Sequence, residues 1–397
     1  MDPLRNPFAP GAGTPPPKLA GRDELLARTA LTLGRVKEGR HSKSFIVVGL
    51  RGVGKTVLLN EVFKTANDLG YLAVQIEARE NASLPALLLP KLRQVILRLD
   101  RIRSAIESGK RALRVLAAFA SSVRASIGDI EFSLSLEPES GTADSGDLET
   151  DLADLFEAVG TAAKEKQTAV ALVIDELQYL TEREMSALIM AMHRIQQRAL
   201  PVVLVGGGLP LLLGLAGKSK SYAERLFDYP AVGKLSDFDA AAALVEPVAA
   251  EGARISGPAV SEIVRRTEGY PYFLQTWGHF AWNCASGSEI TAEDVATATG
   301  HALANLDESF FRVRFDRLSA AEKDYLFSMS DLGPGPHRSG DIAARMGRKV
   351  ESVAPTRNSL IKKGMVFSPY HGDTAFTVPM FDAYLRRVRL NSGTMPE

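Results

Sequence analysis

Short apolar runs mark out the first two-thirds of the chain, and each reads as a strand. They fall at 44–49, 71–77, 169–175 and 202–205, with a shorter one near 232–235. The runs Phe45-Ile46-Val47-Val48 and Val170-Ala171-Leu172-Val173-Ile174 are continuous rather than alternating. Continuous runs are expected of strands covered on both faces. Stretches with helical spacing separate them, at 18–40 and 54–69 and in the later gaps. Strands alternating with helices predict an α/β fold, a parallel sheet with helices on both faces.

The pattern changes twice after the sheet. Residues 236–300 read as helix with one break, at Gly269-Tyr270-Pro271. From about 306 three helices are expected, at 319–330, 339–346 and 350–363. Two short strands follow, at 365–368 and 374–378, around His371-Gly372-Asp373. Helix, helix, helix, hairpin is the order of a winged helix-turn-helix. The expected domains are a flexible Pro-rich N-terminus at 1–17, an α/β core at 18–235, a helical lid at 236–304 and the winged helix at 305–397.

An insertion at 84–150 interrupts the core. It opens as a basic helix to about 119, which can serve a nucleic acid, an anionic lipid, a protein partner or only a solvated face. A hairpin is expected next. Its strands are 123–127 and 130–136, and its turn is Gly128-Asp129. The acidic, Gly- and Ser-containing stretch 137–147 is expected to be mobile.

Composition adds limits. Lys plus Arg and Asp plus Glu balance at 47 each over 397 residues. No global field therefore points to nucleic acid or membrane. One cysteine, Cys284, excludes an internal disulfide. The uncharged run 199–217 nears the length of a membrane span. Pro201, Pro210 and Gly206-Gly207-Gly208 break it into a buried strand, a glycine loop and a short helix. A cytoplasmic protein with no membrane partner is expected.

The chemistry concentrates in two places. Gly49-Leu50-Arg51-Gly52-Val53-Gly54-Lys55-Thr56 has the spacing G-x-x-x-x-G-K-T of a P-loop, between a strand and a helix whose apolar pattern opens at Val57. Glycines let backbone N–H groups curl around phosphates, and the helix start adds orphan donors. Lys55 suits the β- and γ-phosphates, and the Thr56 hydroxyl suits Mg²⁺. The run 168–174 ends in Asp175-Glu176. Asp175 is placed to support Mg²⁺ and Glu176 to polarise an attacking water. Gln178 is positioned to help orient that water. ATP and Mg²⁺ are the expected cofactors, and ATP hydrolysis the expected activity.

These residues together resemble the AAA+ ATPases of the origin-recognition-like type and the related STAND ATPases, over about 18–390. Leu19-Ala20-Gly21-Arg22-Asp23-Glu24-Leu25 is similar to the segment that flanks adenine in those families, which implies a nucleotide contact for Arg22. Ala223-Glu224-Arg225-Leu226-Phe227 lies where a partner-reaching arginine is often found, which implies a finger role for Arg225 in a homo-oligomer. Glu268-Gly269-Tyr270-Pro271-Tyr272-Phe273-Leu274 is similar to the STAND lid segment, which implies that Pro271 shapes the lid against nucleotide.

Two departures imply a slow switch rather than a fast motor. Glycines stand where strand four normally supplies a polar sensor. Gly269-Tyr270-Pro271 replaces the lid's usual arginine motif, with Arg265 and Arg266 one turn earlier. The C-terminal stretch 338–389 carries ten basic and four acidic residues, a local excess of six. That is the footprint of a DNA-facing module, with Arg357 on the recognition helix and Arg348 and Lys349 just before it. In STAND proteins the same fold packs internally and the partner is protein, so duplex DNA and a protein partner both stay open.

Overall fold

The computed structural model describes residues 1–11, 13–101, 107–127, 137–220 and 223–391. The chain divides into two compact units. The first comprises Arg22–Gly49 and Lys55–Val232, and the second Met1–Gly21, Leu50–Gly54 and Gly233–Glu397.

The first unit is a five-stranded parallel sheet with helices on both faces. Its strands are β1 (Ser44–Val48), β2 (Leu72–Glu77), β3 (Val170–Asp175), β4 (Val202–Gly208) and β5 (Phe227–Asp228). Their order is β2-β3-β4-β1-β5. On one face α1 (Asp23–Lys37) and α2 (Lys55–Asp68) pack through Leu33 and Ala66 against Ala73, Ala171 and Val203. Small side chains on the sheet bring these helices close. The opposite face carries α3 (Leu84–Arg101), α4 (Glu107–Ile127), α5 (Leu148–Glu165), α6 (Glu182–Gln197) and α7 (Leu211–Ser219). Leu88, Phe119, Phe156 and Leu188 fill the space between them and Ile46, Leu172, Ile174 and Leu204. A capping box of Thr181 and Glu184 starts α6. Glu184 also accepts the Leu84 N–H at 2.6 Å, which ties the start of α6 to the start of α3.

Four expectations are corrected here. β4 does not stop at Val205; all three glycines extend it, with Ile46 paired to Gly206, Val47 to Gly207 and Val48 to Gly208. The fifth strand, at the edge beside β1, is Phe227–Asp228 rather than 232–235, although Ala231 forms an isolated bridge to Val48. Residues 123–127 continue α4 as helix, because Val123 joins its buried face; the other half of that expected hairpin lies outside the described residues. The stretch 137–147 is anchored: buried Asp151 accepts N–H groups of Ser145 at 3.0 Å and Gly146 at 3.1 Å and the Ser122 hydroxyl at 2.7 Å.

The second unit is mainly helical. Its helices run from α9 onward, since the short α8 (Ala223–Leu226) belongs to the first unit. α9 (Asp237–Ala250), α10 (Gly257–Thr267), α11 (Pro271–Cys284) and α12 (Ala292–Asn305) come first. Next are a π-helical turn at Leu306–Phe311 and α13 (Arg312–Phe315). Finally α14 (Ala320–Asp331), α15 (Ser339–Arg345), α16 (Val350–Lys362) and α17 (Phe381–Asn391) accompany three short antiparallel strands, His337–Arg338, Val366–Phe367 and Asp373–Phe376. One core runs through all of it, including Phe273, Trp277, Phe311, Tyr325, Phe381 and Leu385.

The first residues of the chain join that core, contrary to the expectation of a flexible lead-in. Phe8 is buried against Gly278, where an added Cβ would lie 2.7 Å from its ring. The Asn6 amide donates to His279 O at 3.0 Å and Asn283 Oδ1 at 2.9 Å, and the Trp282 indole donates to Asp2 O at 2.8 Å. Among the described residues no helix is long and apolar enough to cross a membrane.

Candidate functional site

The ends of β1, β3 and β4 assemble the acidic half of the site. β3 is not hydrogen-bonded to β1; β4 lies between them. Thr56 and Asp175 must therefore meet across the end of β4. They do, with the Thr56 hydroxyl donating to Asp175 Oδ2 at 2.6 Å. Gly207 makes this possible, because a Cβ there would sit 3.0 Å from Asp175 Oδ1 and 2.8 Å from Leu59 Cδ1.

Lys55 is buried and its ammonium donates to Gly49 O at 3.1 Å. Gly52 and Gly54 have φ of 81° and 89°, left-handed values that an L side chain resists. Val53 is buried, and Val57 is half-buried in the first turn of α2.

Burial raises the pKa of the Asp175 carboxyl above its ordinary value, and the neighbouring Glu176 charge raises it further. The Thr56 hydroxyl, the Glu176 N–H and the Lys55 charge pull the other way. A buried carboxylate beside a second carboxylate is favoured by an added cation. These residues fit a magnesium nucleotide: Thr56 and Asp175 would hold the metal, and Lys55 the phosphates. When bound, the metal supplies positive charge to the phosphate oxygens.

Glu176 adopts the left-handed backbone region, φ 55° and ψ 38°, uncommon for a residue other than glycine. Its carboxylate accepts from the Gln178 amide. Gln178 Oε1 in turn accepts the Leu209 N–H at 3.0 Å. The sequence suggested an empty sensor position at 206–208. Instead the glycines leave room for the segment after Asp175. A Cβ at Gly206 would run into Leu177, and one at Gly208 would lie 2.9 Å from Gln178 Oε1. The signal was present in the sequence as three glycines in line with a bulky Leu177-Gln178-Tyr179.

The remaining expected residues fall in different settings. Arg22 is half-buried just before α1, and its carbonyl accepts the Leu26 N–H at 2.9 Å. Arg225 is exposed on the short helix Ala223–Leu226 and pairs with no carboxylate among the described residues; Asp228 pairs with Arg28 and Lys43 instead.

In the second unit Pro271 is the first residue of α11, where its missing N–H costs nothing. Gly269, at φ 73°, precedes it, and a Cβ there would lie 2.6 Å from Leu235 O. Within the same unit Gly52 O accepts the Tyr272 N–H at 3.2 Å, and the Arg51 N–H donates to Thr377 O at 3.2 Å. Arg265 and Arg266 both pair with Glu262.

The C-terminal basic residues require a correction. Arg357 does not present a free guanidinium on α16. It donates to Thr374 Oγ1 at 2.8 Å, Ser368 Oγ at 2.9 Å and Asp373 O at 2.9 Å, stapling the helix to the hairpin. Arg345 and Arg389 share Asp331, Arg386 pairs with Asp382, Arg387 with Asp307 and Lys363 with Glu322. Arg338, Arg348, Lys349 and Lys362 are exposed and pair with no carboxylate among the described residues.

The model of the AAA ATPase domain matches residues 18–205, and that of a domain of unknown function, DUF8462, matches residues 308–385. No curated protein matches. Among solved structures, the chain is similar to the Walker-type ATPase PABY2304 of Pyrococcus abyssi. That match has 14% identity and a TM-score of 0.55, and covers 93% of this chain and 96% of that one. It is also similar to the Aeropyrum pernix Orc1 protein solved in complex with DNA, at 15% identity, TM-score 0.45, and 98% of each chain. The Thermotoga maritima RuvB Holliday junction branch migration motor matches at 15% identity and TM-score 0.43, over 96% and 97% of the two chains. At 14% identity the likeness to the Walker-type ATPase is one of fold. The parallel sheet, the strand–loop–helix at 44–68 and the acidic pair at the end of β3 agree with the domain match, and residues 18–205 carry an AAA ATPase domain.

Proposed function

We propose that the protein is an ATP-dependent molecular switch that hydrolyses ATP slowly, with its nucleotide state gating the C-terminal module. The observation that carries this reading is the 2.6 Å bond from Thr56 to Asp175 across the glycine end of β4. It joins the P-loop helix to the acidic strand as a magnesium nucleotide requires. In this reading the loop's backbone N–H groups and Lys55 bind the phosphates, Arg22 contacts the nucleotide, and Glu176 takes the proton of the attacking water. Arg225, exposed and with no carboxylate partner among the described residues, is the candidate finger toward a second copy. Such a finger is worth about 10³–10⁵ in rate where it operates. Isothermal calorimetry with ATP and Mg²⁺ tests the binding, and phosphate release tests the turnover. A protein that ignores adenine nucleotides ends the reading.

For the module at 305–397, we favour a winged helix that contacts duplex DNA. The exposed Arg338, Arg348, Lys349 and Lys362 support it. The second reading, a STAND-type switch with a protein partner, draws on the pairing of the other basic residues and on the core that 236–304 shares with 305–397. DNA binding with ATP, with ADP and without nucleotide, at two salt concentrations, separates them. Affinity that falls steeply with salt supports the first.

A further inference from the structure

One peptide plane at the end of β4 is bonded on both of its sides. The carbonyl of Gly208 accepts the N–H of Gly49, the first P-loop residue, at 3.1 Å. The N–H of Leu209, in the same peptide unit, donates to Gln178 Oε1 at 3.0 Å. The other end of that carboxamide donates to the Glu176 carboxylate. The two partners settle the orientation of the amide, since an N–H needs an acceptor and a carboxylate needs a donor. A Cβ at residue 208 would crowd this arrangement, lying 2.9 Å from Gln178 Oε1 and from Leu212 Cδ2.

The consequence is a short hydrogen-bonded path: Gly49, the 208–209 peptide, Gln178, Glu176. All of it lies in the first unit. A peptide unit is planar, so a tilt at one side is felt at the other. From this path we infer that Gln178 is a positioning residue for the hydrolytic base and stands in for the side-chain sensor that β4 lacks. A shift of the P-loop start on nucleotide binding tilts the 208–209 peptide, and the Gln178 carboxamide carries that tilt to Glu176. Gln178 does not act on a substrate atom. It holds the carboxylate that does, in a left-handed backbone conformation that needs an external tie. The inference rests on the ATPase reading above.

Steady-state ATP turnover and ATP affinity, measured together, provide the test. Gln178→Leu removes both hydrogen bonds at similar volume. Gln178→Glu keeps an acceptor for Leu209 and loses the donor to Glu176. Gly208→Ala leaves the carboxamide intact and crowds Oε1. Each should lower kcat by about ten- to a hundredfold, the weight of a hydrogen bond to a charged group, with ATP affinity within about twofold of the wild type. In a Glu176→Gln background, Gln178→Leu should add nothing, because the group it positions is gone.

Wild-type kcat in both Gln178→Leu and Gln178→Glu overturns the inference. So does an effect of Gln178→Leu that is equally large in the Glu176→Gln background, which a merely structural role would give. If Gln178→Leu fails to fold, Gln178→Glu and Gly208→Ala decide. A wild-type protein that binds ATP without turnover overturns the ATPase reading itself, and the inference with it. An active wild type with unaffected variants overturns the inference alone.

Discussion

The end of the parallel sheet and the C-terminal module handle charge in opposite ways. At the sheet end two carboxylates stand side by side, and neutral donors, Thr56 and Gln178, bond to them. Burial of Asp175 makes its charge costly until a cation arrives. In the C-terminal module most of the basic excess is spent internally, on Asp331, Asp382, Asp307, Glu322 and the hairpin around Arg357. The first region is prepared for a ligand's charge; the second has largely neutralised its own. A net charge counted along a sequence is therefore an upper bound on what a surface offers.

The largest expected effect breaks the comparison at the sheet end. Glu176→Gln should lower ATP turnover by about 10²–10⁴ and spare ATP binding. Equal phosphate release by wild type and variant would deny the acidic pair its role.

Next comes backbone strain in the second unit. Gly269→Ala pushes a Cβ toward Leu235 O at 2.6 Å in a left-handed conformation. It should cost about 1–3 kcal/mol or more, read as a lowered Tm. An unchanged melting curve would show that the break before α11 is not held as described.

Third, the two kinds of arginine can be separated. Arg357→Ala should lower stability by about 1–3 kcal/mol, because the acceptors on the hairpin lose their charged donor. Arg348→Ala with Lys349→Ala should leave Tm unchanged and, for a DNA-binding module, reduce the slope of log affinity against log salt by about two. The reverse assignment, a salt slope that responds to Arg357 alone, would put the nucleic-acid face elsewhere.

The smallest effect depends on pH. Burial would raise the Glu322 carboxyl, but hydrogen bonds from Lys363, the Ser319 N–H and Ser359 outweigh it and hold the group at about 2, below its ordinary 4.5. A carboxyl lowered on folding stabilises the native state fully above its unfolded value. That contribution is lost as pH falls from about 4.5 toward 2. Thermal melts between pH 5 and 3 should show the C-terminal module losing stability, and Glu322→Gln should flatten that dependence. A wild-type curve as flat as the variant's would remove the Lys363–Glu322 pair from the account.

Local spacing carried much of the site. A P-loop is one strand, one glycine turn and one helix start, all set within a few residues. An acidic pair after a buried strand is equally local. The apolar runs located the four longer strands, β1 to β4, since burial on both faces favours that pattern. The fifth strand was misplaced because a two-residue strand, Phe227–Asp228, has too few residues for any periodicity. Residues 123–127 alternate in a way that suits a strand, yet Val123 and Phe119 share the buried face of one helix, and packing overrode local preference.

By itself, then, the sequence determined which residues suit phosphate and metal chemistry, because that suitability is written over short stretches of backbone. Tertiary structure alone decided which charges are spoken for and which are available. It put β4 between the two halves of the site, turned three glycines from a missing sensor into room for Gln178, and gave Arg357 to the hairpin. It also seated Phe8 in the notch at Gly278. These outcomes depend on groups tens to hundreds of residues apart coming within hydrogen-bond or van der Waals reach. That proximity is set by how the helices and strands pack, and no spacing along the chain encodes it.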